Sequence, residues 1–136
     1  MQNNDRVSKG MSDILDAKAE MERILSPGKE AFLSDRKNAL ALKYLLIQAV
    51  EAITDVCQHQ LAKTRGVVCS GYVDCIVKAG ENGVIRSELA TKLRRLADLR
   101  NNLVHRYWTI NDGDLFDQCS ANISDFYDFS SQVSNG

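Results

Sequence analysis

Residues 87–108 read SELATKLRRLADLRNNLVHRYW, and the rest of the chain is best interpreted outward from this stretch. Its apolar side chains recur at the spacing of an α-helix, and at about 100° of rotation per residue they form one stripe that faces a core. The stripe consists of Leu89, Leu93, Leu96, Leu103 and Val104. Arg100 and Tyr107 fall in the middle of it. An arginine in such a place must be paired, or must face a cleft or a second molecule.

A histidine follows this arginine at a spacing that one straight helix cannot close. His105 lies five residues after Arg100, which corresponds to roughly 140° of rotation around the helix axis. The two side chains therefore point to different sides of the helix. Either the helix ends between them, or a second copy of the chain completes the site.

The spacing Arg-x4-His-x-Tyr at the end of an amphipathic helix resembles the motif of the HEPN superfamily and, within it, of the HepT-like toxins. Four residues carry the resemblance: Arg100, Asn101, His105 and Tyr107. A weaker likeness extends from about residue 37 to residue 133. The family often has Gly-Phe before the Arg-Asn pair, whereas this chain has Asp98-Leu99. Asp98 is therefore expected to neutralise or steer Arg100.

The resemblance implies a metal-independent endoribonuclease toxin without a cofactor. It also implies a homodimer whose RNA-binding cleft joins both copies of the motif. The implied partner is an MNT-type nucleotidyltransferase antitoxin, which can transfer AMP to the tyrosine of the motif, here Tyr107. A bulky anion on Tyr107 would block the cleft and repel the phosphate of the substrate.

The side chains of the motif fit RNA cleavage on chemical grounds. His105 is the predicted general acid/base, because imidazole titrates near neutral pH. Arg100 is predicted to hold a phosphate oxygen and to offset the charge that develops on it. Asn101 would position the phosphate or the histidine, Arg106 would attract the substrate, and Tyr107 would hydrogen-bond or stack on a base. The predicted catalytic residues are thus Arg100 and His105.

Each of these residues also has a purely structural interpretation. His105 taken alone suits a helix C-terminus, where it interacts with the helix dipole. Arg100 taken alone suits an ion pair with Asp98 or with an acidic residue of another helix. Tyr107 and Trp108 suit a core, and Trp108 is expected to be buried.

A non-catalytic function is the alternative to the ribonuclease. In it the chain is a HEPN-like partner subunit that binds nucleotide or substrate for a nucleotidyltransferase, and Arg100 and His105 bind nucleotide or hold the dimer. The net charge of −1 permits this alternative. Expression of the chain alone separates the two hypotheses, because only the ribonuclease is expected to be toxic.

The distribution of charge favours a phosphate-binding surface near the motif. Residues 86–106 carry six basic and two acidic side chains, a net charge of +4. Such a helix face attracts phosphate, although a plain solvated face is the alternative. A second polar face, formed by Gln48, Asp55 and His59, is expected to be solvent-exposed. The alternative is that Asp55 and His59 form a second wall of the cleft or a dimer contact.

Length and helical periodicity predict one all-α domain, an up-and-down bundle of four main helices plus a short one. The chain has 136 residues, and residues 1–10 and 131–136 are expected to be flexible. The expected starts of the helices are Ser12, Ser34 or Asp35, Ser70, Ser87, and Asn111 or Asp112. The chain has no apolar run of roughly 20 residues and opens on a polar stretch, so a cytoplasmic location is expected.

The four cysteines show neither a CxxC motif nor the spacing of paired metal ligands, which argues against a zinc site. Cys57 and Cys119 fall on apolar stripes and are expected in the core. A disulfide such as Cys69–Cys75 is an open alternative, but a cytoplasmic setting favours free thiols.

Overall fold

The computed structural model describes the backbone of residues 2–135 and the side chains of residues 5–134. Within these residues the chain forms α-helices and no β-strand. The helices are α1 (Gln2–Leu25), α2 (Lys29–Leu33), α3 (Arg36–Gln60), α4 (Tyr72–Glu81), α5 (Ser87–His105) and α6 (Asp112–Asn135). A π-helical turn, Leu61–Arg65, continues α3, and a 3-10 turn, Tyr107–Thr109, follows α5. The predicted all-α bundle is confirmed.

The long helices α1, α3, α5 and α6 enclose a single apolar core, and α4 packs mainly on α5. Each of these four helices contributes large, fully buried side chains, among them Ile14, Met21, Leu42, Leu46, Ile53, Leu93, Phe126 and Phe129. The short helix α2 was not predicted. It is held by Phe32, which is buried and lies with its ring centroid 5.2 Å from that of Phe116.

Both ends of the chain are helical in the described residues, although their polar composition predicted flexible segments. The first helix begins at Gln2 rather than at Ser12, which lies exposed inside α1. Val7 packs against the core, so this early part of the helix has an apolar contact to hold it. At the other end, α6 continues to Asn135 and buries Val133. Met1 and Gly136 lie outside the described residues.

Only part of the predicted helix capping is present. Asp35 caps α3, accepting a hydrogen bond from the Lys37 amide at 2.9 Å, as predicted. Ser70 and Ser87 do not cap their helices, because the N-cap positions of α4 and α5 are Gly71 and Arg86. The Ser70 amide instead donates to the Asp74 carboxylate at 2.9 Å, and this hydrogen bond lowers the pKa of Asp74.

Gly80 lies inside α4 instead of ending it, because the helix continues to Glu81. A Cβ atom on Gly80 would lie 2.6 Å from the Cβ atom of Ala90. The absence of a side chain therefore lets α4 and α5 approach closely. This approach brings α4 onto the same side of α5 as Arg100.

The cysteines divide into a buried pair of thiols and a disulfide. Cys57 and Cys119 are buried, as expected, and burial raises the pKa of each to about 12. Cys69 and Cys75 form a disulfide, with their Cα atoms 5.0 Å apart. The expectation of free thiols at these two positions was wrong, because the turn before α4 brings them within bonding reach.

Candidate active site around Arg100

Arg100 lies on the buried side of α5, in the position that the helical periodicity predicted. Leu89, Leu93, Leu96 and Leu103 of the same stripe are buried, and the Arg100 side chain is only 12% exposed. A guanidinium in such a place loses most of its water, so neighbouring groups must replace the lost interactions. Those groups come from two other helices and from α5 itself.

The guanidinium of Arg100 is held on three sides. Its Cζ atom lies 4.0 Å from the centre of the Tyr72 ring, at the start of α4. Its Nη2 atom lies 3.4 Å from a carboxylate oxygen of Glu51, on α3. Its Nη1 atom donates to the side-chain oxygen of Asn101 at 3.2 Å. Within the described side chains, the Nε atom is buried and has no acceptor.

The ion pair with Glu51 matches the structural alternative in which Arg100 meets an acidic residue of another helix. The expected interaction with Asp98 is wrong, because Asp98 lies exposed on the opposite side of α5. The Glu51 side chain is 50% exposed, so the pair sits at the surface end of the guanidinium rather than sealed inside the bundle.

His105 occupies a different environment from Arg100. It is the last residue of α5 and is exposed. The helix is continuous from Arg100 to His105, and the Arg106 amide still donates to the Asn102 carbonyl at 2.8 Å. The two residues are thus separated by about 7.5 Å along the axis and roughly 140° around it. The first alternative, a helix that ends between them, is excluded.

The aromatic pair that follows α5 is exposed. Tyr107 is 65% and Trp108 is 71% exposed, and their ring centroids lie 5.4 Å apart in an edge-on arrangement. The expectation that Trp108 is buried was wrong. The apolar stripe does not continue to Tyr107, because α5 ends at His105 and the chain turns through the 3-10 segment. Val104, also expected inward, is 42% exposed.

A cleft of about 480 Å³ lies between the first part of α1 and the middle of α3. On the α3 side it is lined by Gln48, Glu51, Asp55 and His59. Asp55 and His59, the predicted second wall, thus share a cleft with the carboxylate that contacts Arg100. The Nε2 atom of His59 is buried without a hydrogen-bond partner among the described side chains. The contact of these two residues with a substrate stays a prediction.

Most of the chain matches one known protein family. The family model described as "Ribonuclease HepT-like" matches residues 14–133. The chain belongs to this HepT-like family. No curated protein sequence matches it.

Solved structures share the fold of this HepT-like chain at low sequence identity. One is a tri-AMPylated HEPN toxin from Shewanella oneidensis in complex with an MNT antitoxin. It has a TM-score of 0.89 and 18% identity, with 97% of this chain and 98% of that chain covered. A toxin–antitoxin structure with AMP-PNP has a TM-score of 0.88 and 18% identity, with 97% and 99% covered. The cytosolic Bacillus subtilis protein YutE, of unknown function, has a TM-score of 0.70 and 19% identity, with 91% and 87% covered.

The basic surface of the HepT-like chain follows the exposed side of α5. Arg86, Arg94, Arg95 and Arg106 are all exposed. Lys92 is exposed as well, and its Nζ atom lies 4.0 Å from the buried carboxylate of Asp125. These exposed cations extend along the length of α5, and only Arg106 lies next to His105 in the sequence.

Two residues of the site were missed by the reasoning from sequence. Glu51 was not singled out on α3, although it lies one helical turn before Asp55 and points to the same side. Tyr72 was not singled out either, because no local signal in the sequence connects it to Arg100. Pairing across helices depends on how they pack, and periodicity within one helix carries no information on that.

An exposed apolar surface borders the motif. Leu40 and Tyr44, on α3, are 51% and 66% exposed, and they lie on the side of α3 that carries Glu51. Three more exposed residues follow Arg100 in the sequence: Val104, Tyr107 and Trp108. We call this set of five residues the aromatic surface.

Among residues 5–134, no group of three or more histidine, cysteine or acidic side chains is arranged to hold a metal ion. None of the helices within residues 2–135 combines the length and the apolar character that a membrane span requires.

Proposed function

We propose that this HepT-like chain is the toxin of a toxin–antitoxin pair. In this proposal it is a metal-independent endoribonuclease whose active site forms between two copies of the chain. The observation that carries the proposal is the unbroken helix from Arg100 to His105. Because one chain directs these side chains to different sides of α5, a second copy is needed to bring a His105 opposite an Arg100.

The exposed aromatic surface supports the dimer. Exposed large apolar side chains that cluster on one surface are typical of an interface. A two-fold axis near the end of α5 would place the same surface of both copies in contact. Each cleft would then combine the Arg100 of one copy with the His105 of the other.

The proposed reaction needs a base, an acid and an anion-binding group. A histidine takes the proton of the 2′-hydroxyl, the 2′-oxygen attacks the phosphorus, and the 5′-oxygen leaves with a proton from a second acid. Arg100 binds the phosphate and stabilises the charge that develops on its oxygens. Asn101, which already contacts Arg100, orients this guanidinium, while Arg106 attracts the RNA backbone.

A nucleotidyltransferase is the proposed antitoxin. Two of the solved structures with this fold are toxin–antitoxin structures, and in one of them the HEPN toxin is AMPylated and bound to an MNT antitoxin. In this chain the proposed acceptor is Tyr107, whose exposed phenol is accessible to another enzyme. The phenol oxygen would attack the α-phosphorus of ATP, and pyrophosphate would leave. The added phosphate would repel RNA from Arg100.

The first test is RNA cleavage by the purified chain in the presence of EDTA. Wild type is compared with His105→Ala, and with Arg23→Ala as a control that removes an exposed arginine of α1. We expect His105→Ala to lower the rate by about 10²- to 10⁴-fold, because a general acid/base is lost. Equal cleavage by wild type and His105→Ala, or no cleavage by either, contradicts the proposal.

A mixing experiment tests the shared site directly. Arg100→Ala and His105→Ala are each expected to be inactive, but their heterodimer retains one site with both residues intact. Co-expression of the two variants should therefore restore activity to about a quarter of the wild-type value in a two-fold dimer. A site contained in one chain would show no recovery.

Growth separates the ribonuclease from the non-catalytic partner subunit. Expression of wild type alone should stop growth, and co-expression of an MNT-type nucleotidyltransferase antitoxin should restore it. If wild type is harmless and still binds nucleotide through Arg100, the chain is a partner subunit and the ribonuclease proposal is wrong.

A further inference from the structure

The contact between Arg100 and Tyr72 links the motif helix to α4. Tyr72 is the first residue of α4 and is partly buried against the core. The Cζ atom of Arg100 lies over its ring, 4.0 Å from the centre. An arginine at this distance is attracted by the negative face of the ring, and the interaction strengthens as water is excluded.

The ring face and the hydrogen bonds together restrict the guanidinium. An arginine has five N–H groups in one plane. Asn101 and Glu51 each accept from one terminal nitrogen, and the Nε–H group is buried. Because the ring covers one face, the plane cannot tilt without losing these contacts. One N–H group on Nη1 and one on Nη2 are therefore left for a phosphate, and their direction is fixed together with the plane.

Tyr72 is itself held in place by local structure. It lies within the loop that the Cys69–Cys75 disulfide closes. On one side of it the Ser70 amide donates to the Asp74 carboxylate, and that carboxylate also lies 3.2 Å from the Lys78 ammonium. These contacts restrict the backbone at the start of α4, which carries the ring.

We propose that Tyr72 is a positioning residue for Arg100, with Glu51 and Asn101 fixing the edge of the same guanidinium. The catalytic meaning of this inference rests on the proposed ribonuclease function, whereas the positioning itself does not. The phenol oxygen is not needed for the contact. Phenylalanine should therefore replace Tyr72, and a residue without a ring should not.

The first readout is the Arg100 Nε–Hε resonance in the NMR spectrum of ¹⁵N-labelled protein, identified by its absence in Arg100→Lys. Burial of the Nε atom slows exchange with water, so the signal should be observable. The ring current of Tyr72 should displace the resonance upfield in wild type and in Tyr72→Phe. In Tyr72→Leu the signal should move toward that of a free arginine or be lost by exchange. An unchanged signal in Tyr72→Leu overturns the inference.

The second readout is the kinetics of RNA cleavage. We expect Tyr72→Leu to lower kcat by about 10- to 100-fold, because small displacements of a catalytic group have effects of this size. KM should change much less, since the exposed arginines still bind the RNA backbone. Tyr72→Phe should stay within about twofold of wild type, because the ring face is retained. A Tyr72→Leu variant with wild-type kcat overturns the inference.

Controls separate positioning from folding. Tyr127→Leu removes an exposed tyrosine of α6 and should change neither readout. Thermal unfolding shows whether Tyr72→Leu is folded, and Tyr72→Met is the second ring-free variant if it is not. If no variant and no wild-type protein cleaves RNA, the ribonuclease proposal fails, and the resonance of Arg100 alone decides on Tyr72.

Discussion

Arg100 and His105 belong to one helix but to opposite environments. Arg100 is 12% exposed and contacts Tyr72, Glu51 and Asn101. His105 is exposed, at the last residue of α5, beside an exposed aromatic pair. In the proposed ribonuclease, the single chain thus prepares the anion-binding half of the site and leaves the acid/base half at its surface. This difference is the basis of the proposal that a second copy of the chain completes the site.

The largest expected effect on RNA cleavage comes from replacing Arg100, whose contacts are already formed in the single chain. Arg100→Lys keeps the charge but removes the planar, two-pronged donor and the stacking on Tyr72. We expect RNA cleavage to fall by about 10²- to 10³-fold, a size typical for the loss of one preorganised charge-stabilising donor. Arg95→Lys, on the exposed side of α5, is the matched control. If the two substitutions have the same small effect, Arg100 has no special role.

The second prediction contrasts the buried and exposed sides of α5 in stability. Leu93→Ala should lower the free energy of unfolding by about 2–5 kcal/mol, because it leaves a cavity in the core. Trp108→Ala should change the stability of the monomer by less than about 0.5 kcal/mol, but should weaken the dimer. Urea unfolding and sedimentation measure the two quantities. A large loss of monomer stability in Trp108→Ala would show that the indole is packed after all.

The third prediction concerns the disulfide that closes the loop around Tyr72, the residue whose ring contacts Arg100. Reduction of the Cys69–Cys75 disulfide should lower the free energy of unfolding by about 2 kcal/mol, as the chain-entropy argument gives for a short closed loop. The double variant Cys69→Ser, Cys75→Ser should show the same loss and no further response to reductant. Thiol labelling of the native oxidised protein should be slow, since Cys57 and Cys119 are buried. Equal stability with and without reductant would contradict this prediction.

The smallest expected effect is a pH dependence of stability due to Asp125, a buried carboxyl group of α6. Burial raises the pKa of Asp125, Lys92 opposes this rise, and Asp128 adds to it. The folded chain therefore binds this proton more tightly than the unfolded chain. The stability due to Asp125 is full below the ordinary pKa of aspartate and is lost as the pH rises through its folded pKa.

Asp125→Asn tests this sign. The variant should gain stability over wild type as the pH is raised from acid to neutral, because its amide carries no charge into the core. Asp16→Asn, an exposed position on α1, is the control and should follow wild type at every pH. Thermal unfolding as a function of pH is the measurement. A difference that shrinks with rising pH would reverse the argument.

The helices and the motif were largely predictable because both depend on local patterns. The stripe of Leu89, Leu93, Leu96 and Leu103 placed α5 correctly and set Arg100 on its buried side. The stripe failed at Val104 and Tyr107, where the helix ends and its periodicity no longer applies. The start of α1 was not predicted from the polar residues 1–10. A helix that packs through few apolar contacts has only a weak periodic pattern of apolar residues.

The sequence by itself determined an all-α bundle, the HepT-like motif and an arginine that requires partners. Only the tertiary structure decided which partners these are: Glu51, 49 residues away in the chain, and Tyr72, at the start of another helix. It also decided that Tyr107 and Trp108 are exposed. The physical reason is that side-chain periodicity is a property of one helix, whereas contacts between helices depend on their mutual rotation and distance, which the packing of the whole core sets.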